Sequence, residues 1–141
     1  MISDTRRGEI ECRRWPDFDP KLAALGAVRP TREEARAAEA ARRYMTEVSC
    51  GALALLPPRW IWLEGLSVLR GSTPRARSAP PVPVIMRAGL DYEATFITAV
   101  HELQHLIDVA RVAVWHDDQD LERRADEAVA RALGERWRWE R

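Results

Sequence analysis

Residues 98–110 read TAVHELQHLIDVA, and the reading of this stretch decides the fold. It holds His101 and His105, two of the chain's three histidines, four positions apart, with Glu102 directly after the first. Phe96, Ile97, Val100, Leu103, Leu106, Ile107 and Ala110 surround them at helical spacing. That pattern predicts a helix over about 92–114, with Asp91 as its cap. On a helix, residues four apart lie about 40° apart and one turn up, so both imidazoles lean the same way and can meet at one metal ion. Glu102 lies about 100° round from His101, where it can reach the open side of that ion without binding it. Two ligands and a general base on one rigid element are the physical content of an HExxH motif. The competing reading is a structural helix whose polar stripe binds no metal.

A tetrahedral catalytic metal takes three protein ligands and leaves a fourth place open. Downstream, DLERRADEAVARAL (120–133) predicts a helix over about 121–133, carrying Leu121, Ala125, Ala128, Val129 and Leu133 and stopping at Gly134. Glu122 and Asp126 are four apart and share a face. If Glu122 binds the ion, Asp126 can reach the far ring nitrogen of a ligand histidine and fix its tautomer. Glu127 points about 140° away from Glu122 and does not suit the same ion. Asp108, on the face of His101, remains open as a ligand, a hydrogen-bond partner of a histidine or a solvated aspartate.

HELQH followed by ERRAD resembles the gluzincin zinc metallopeptidases, whose pattern is HExxH on one helix and a glutamate, as ExxAD or ExxxD, on the next. The resemblance covers about residues 82–133 and is nearest to compact members, the minigluzincins and the ImmA/IrrE-like metallopeptidases. It implies that His101, His105 and Glu122 bind Zn2+. It further implies that Glu102 is the general base of peptide hydrolysis and that Asp126 supports a ligand histidine. The strand in PVIMRAG (83–89) would be an edge strand along which an extended peptide adds. His116 and Tyr92 are the candidates for stabilising the oxyanion, each with an ordinary structural reading beside it. The 16 residues between His105 and Glu122 make the turn at WHDDQD tight. The metzincin pattern is excluded, because it needs glycine and histidine where Asp108 and Arg111 stand.

The rest of the chain frames this site. Its 141 residues suit one domain, with 1–30 as an irregular arm and 31–141 as a single compact unit. In PTREEARAAEAARRYMTEVSCGALALL (30–56), Thr31 and Glu34 make a capping box, alanines favour helix, and Pro57 and Pro58 are expected to end it. RWIWLEGLSVLRG (59–71) suits strands, with Gly65 a turn or bulge between them. STPRARSAPPVP (72–83) reads as an exposed loop that could cover a cleft. VPVIMRAG (82–89) gives a short strand, with Pro83 fitting an edge. The expected fold is therefore α+β, a small zincin-like domain with a short, mostly antiparallel sheet packed on an active-site helix and a following glutamate helix.

Formal net charge is zero, and Lys21 is the only lysine. Arg70, Arg75 and Arg77 near tryptophans are scattered arginines of a neutral chain, so no nucleic-acid partner is expected. No stretch approaches the roughly 18 apolar residues of a membrane span, and MISDTRRGEI lacks the apolar core of a signal peptide, which makes the cytoplasm the default location. Cys12 and Cys50 are too sparse for a disulfide framework and read as free thiols. The expected function is zinc-dependent hydrolysis of a peptide or protein. The alternative is a zinc-binding regulatory or interaction module, or a latent protease blocked by its own segment. Oligomeric state is not legible from the sequence.

Overall fold

The computed structural model describes residues 27–64, 71–73, 80–111 and 118–140. Residues 27–30 are the described end of the expected arm, and the Val28 N–H donates to the Trp62 carbonyl at 2.8 Å. Helix α1 (Arg32–Val48) opens on the expected capping box. The Thr31 hydroxyl accepts from Glu34 N at 3.1 Å, and Glu34 Oε1 accepts from Thr31 N at 2.7 Å. The other Glu34 oxygen accepts from Gly89 N at 2.6 Å, which ties the start of α1 to the turn after the last strand. The helix does not run to Pro57. It ends at Val48 because Cys50 and Gly51 take positive φ, 54° and 85°, which an α-helix cannot continue through. A 3-10 turn (Ala52–Leu55) then leads to Pro58.

Among the described residues three strands follow: β1 (Pro58–Leu63), β2 (Gly71–Ser72) and β3 (Val82–Arg87). Their order is β1-β3-β2. β1 pairs with β3 in parallel from Pro58↔Val82 to Leu63↔Arg87. β2 pairs antiparallel with β3 at Gly71↔Met86 and Ser72↔Ile85. The sheet is thus mainly parallel, not mostly antiparallel, and β3 is central, not an edge. The physical reason lies in its composition: Val82, Val84, Ile85 and Met86 are all buried, the near-continuous apolar run of a strand covered on both faces. Pro83 is tolerated there by alternation. Val82 N and Ala88 N donate toward β1, to Pro57 and Leu63 carbonyls, so the odd positions face β2. Among the described residues, pairing on that side is at Ile85 and Met86, so the missing N–H of Pro83 disrupts no rung there. Gly65 and residues 74–79 lie outside the described residues.

Helix α2 (Tyr92–Arg111) is the centre of the molecule. Asp91 caps it, its Oδ1 accepting from Ala94 N at 2.8 Å. Buried residues occur all round it, from Thr95 and Phe96 to Val109 and Ala110, as expected of a helix packed on every side. The alanine face of α1 (Ala37, Ala38, Ala40, Ala41) packs into the same core, and small side chains there permit close approach. Helix α3 (Asp118–Gly134) begins three residues earlier than the pattern suggests. The tail forms one further turn, α4 (Arg136–Trp139), rather than extending α3. Trp139 is its anchor: the ring stacks on Phe96 and its Nε1–H donates to the Ala132 carbonyl at 2.7 Å. Among the described residues, no helix is long and apolar enough to cross a membrane.

Candidate metal centre

Helix α2 presents His101 and His105 from successive turns, and α3 crosses them with Glu122. One ligand-capable atom from each residue lies within 4.8 Å of the others. His101 Nε2 is 3.0 Å from Glu122 Oε1, and His105 Nε2 is 3.1 Å from Glu122 Oε2. The two imidazoles meet edge to face, with centroids 4.9 Å apart. All three residues are buried: His101 and His105 are 2% exposed and Glu122 8%. Water therefore does little to solvate a carboxylate that must stay charged to serve as a ligand. Burial pushes Glu122 up, but the two imidazoles, by contact and charge, outweigh it and hold the carboxyl down at about 2.

The chemistry of this set fits a metal ion. His105 Nε2 lies at ion-pair distance from Glu122 Oε2 yet makes no hydrogen bond among the described residues, and a buried ring nitrogen left unanswered is available to a metal ion. Two imidazoles and a carboxylate are the donor set of a three-ligand catalytic site. Asp126 stands where the spacing predicts, its Oδ1 3.5 Å from His101 Nδ1, on the ring nitrogen opposite the cluster.

Glu102 is fully buried beside the cluster. Its Oε1 accepts a hydrogen bond from the Thr73 hydroxyl, while Oε2 has no partner among the described residues. Burial pushes this carboxyl up, against the pull of His101, His105 and the Thr73 hydroxyl. Strand β2, which directly precedes Thr73, comes very close to α2. A Cβ on Gly71 would lie 3.0 Å from both Glu102 Cγ and the Ile85 carbonyl, and 3.1 Å from Thr98 Cγ2, so only glycine fits without displacement. The start of the 72–83 stretch is therefore not an exposed loop: Thr73 is buried. Nothing local in GST announces this. It follows from tertiary pairing with β3.

Asp108 is buried and turns to neither histidine; it bonds Gln104 and Arg124. Glu127 pairs with Arg123 at 3.1 Å on the exposed side of α3, away from the cluster as its angle predicts. Tyr92 is not brought to the site. It stands nine residues before His101, about 13 Å along the axis, with its ring stacked on Trp139 at 6.5 Å. His116 lies outside the described residues, as does Cys12, and Cys50 is an exposed free thiol. Thr73, Gly71 and Arg124 are the residues that sequence reasoning missed. Comparison with models of known families, with curated proteins and with solved structures finds no match to this chain.

Proposed function

We propose that this protein is a zinc-dependent metallopeptidase of gluzincin-like type. The observation that carries the reading is the convergence of His101, His105 and Glu122 beside a buried carboxylate, Glu102, one of whose oxygens has no partner among the described residues. In this reading the three residues hold Zn2+, which supplies Lewis acidity to a peptide carbonyl and to a water. Glu102 Oε2 accepts a proton from the attacking water and returns it to the leaving nitrogen. Thr73 occupies Oε1, which leaves Oε2 as the oxygen for this transfer. Asp126 holds the tautomer and orientation of His101. Because β3 is paired on both sides, an extended substrate would add at β2, which borders Glu102.

A second reading, a latent protease or zinc-binding regulatory module, is favoured by one observation. Glu102 is closed off from solvent and already engaged by Thr73. A peptide-library assay separates the two. The peptidase reading expects zinc-dependent cleavage that falls about 10²–10⁴-fold in Glu102→Gln with zinc retained. Cleavage that appears only after the chain is nicked within 74–79 supports latency. Zinc-loaded protein that cuts nothing, nicked or intact, leaves a binding module.

A further inference from the structure

The candidate ligands come from two helices, and a second polar contact joins those helices beside them. Asp108 is fully buried three residues past His105. Its Oδ1 accepts from Arg124 Nε at 3.0 Å and from Arg124 Nη2 at 2.7 Å, and also from Gln104 Nε2 at 3.0 Å, one turn back on α2. Arg124 is two residues beyond Glu122 on α3. Otherwise α3 buries Leu121, Ala125, Ala128 and Ala132, and alanine ridges bring helices close while interlocking them weakly. A planar guanidinium on a fully buried carboxylate is different. It is directional, and parting the helices strands a charge away from water. The Asp108 oxygen Oδ2 has no partner among the described residues, so Arg124 and Gln104, both on Oδ1, are the groups that hold this carboxylate.

We propose that the Asp108–Arg124 ion pair is an interhelix clamp that positions Glu122 against His101 and His105 before a metal ion arrives. The pair acts through the placement of α3; neither residue belongs to the three-residue cluster. The inference rests on reading that cluster as a metal site. A preformed set spares the ion the ordering of its third ligand, so the clamp raises metal affinity.

The test is a Zn2+ titration of metal-free full-length protein against a competing chromophoric chelator, with Co2+ absorption spectra as a second readout. Asp108→Asn/Arg124→Met removes both charges at once and leaves no unpaired buried ion. It is expected to bind Zn2+ about 10–100-fold more weakly than wild type, with an altered Co2+ spectrum and unchanged far-UV circular dichroism. Arg124→Lys, which keeps the charge but not the planar fork, is expected to fall between them and serves if the double variant does not fold. Arg123→Met, one residue away on the exposed face, is expected to match wild type. Wild-type affinity in both clamp variants would overturn the clamp while leaving the metal site standing. A wild-type protein that binds no Zn2+ would overturn the metal site and the clamp together.

Discussion

At the start of α2, Phe96 stacks on Trp139 with ring centroids 3.5 Å apart and an 18° tilt. Less than two turns further on, Glu102 is equally buried and has an oxygen with no partner among the described residues. One helix thus carries two kinds of interior. In the first, burial is favourable for every atom, because rings and alanines leave water and lose no hydrogen bonds. In the second, His101, Glu102, His105 and Asp108 sit where burial is unfavourable unless each polar atom is answered. Glu102 Oε2, His105 Nδ1 and Asp108 Oδ2 are not answered within the described chain. The contrast teaches that depth alone does not separate core from site; what separates them is whether buried atoms are satisfied.

Substitutions should break the two halves differently. Trp139→Ala removes the anchor of the apolar half and is expected to cost about 3–5 kcal/mol in denaturant unfolding. Metal binding by the folded fraction should be unchanged. Gly71→Ala forces a methyl against Glu102, Thr98 and the Ile85 carbonyl and is expected to cost about 1–3 kcal/mol. Unlike Trp139→Ala, it should also disturb activity, because the displaced group is the proposed base. Thr31→Ala deletes the α1 cap and should cost about 1 kcal/mol.

Glu102→Gln should act with the opposite sign. The folded carboxyl is raised above its ordinary 4.5, so the charged form opposes folding, and the penalty sets in as pH rises above 4.5. Metal-free Glu102→Gln should therefore be more stable than wild type at pH 7 and lose that advantage below pH 4.5. Glu122 runs the other way. Its carboxyl is held at about 2, so it favours folding above 4.5 and loses that contribution as pH falls toward 2. Unfolding of metal-free Glu122→Gln across the same range should show a deficit at pH 7 that closes in acid. If both variants moved together with pH, the contrast between a desolvated Glu102 and a histidine-paired Glu122 would be wrong.

The features legible in the sequence were those fixed by local geometry. Helical spacing placed His101, Glu102 and His105 on α2 and Glu122 with Asp126 on α3, and cap chemistry placed Thr31, Glu34 and Asp91. Features set by distant pairing were not legible. Whether β3 pairs on one side or two depends on where residues 71–72 return, and no local signal encodes that. The apolar run of β3 carried the hint of a central strand, and Pro83 masked it. Thr73 reaches Glu102, and Arg124 reaches Asp108, across 29 and 16 residues of chain. The end of α1 is an intermediate case: Gly51 is visible, but the positive φ of Cys50 is not a preference of cysteine.

The polar half of α2, completed by Glu122 of α3, is proposed as a metal site. Its most direct test is elemental analysis of purified wild-type protein beside His101→Ala, Glu122→Ala and Glu102→Gln. About one zinc per chain is expected in wild type and in Glu102→Gln, and none in the other two. Wild-type protein that holds no metal, even after Zn2+ is supplied, would contradict the proposal and leave HELQH as a buried polar stripe on a structural helix.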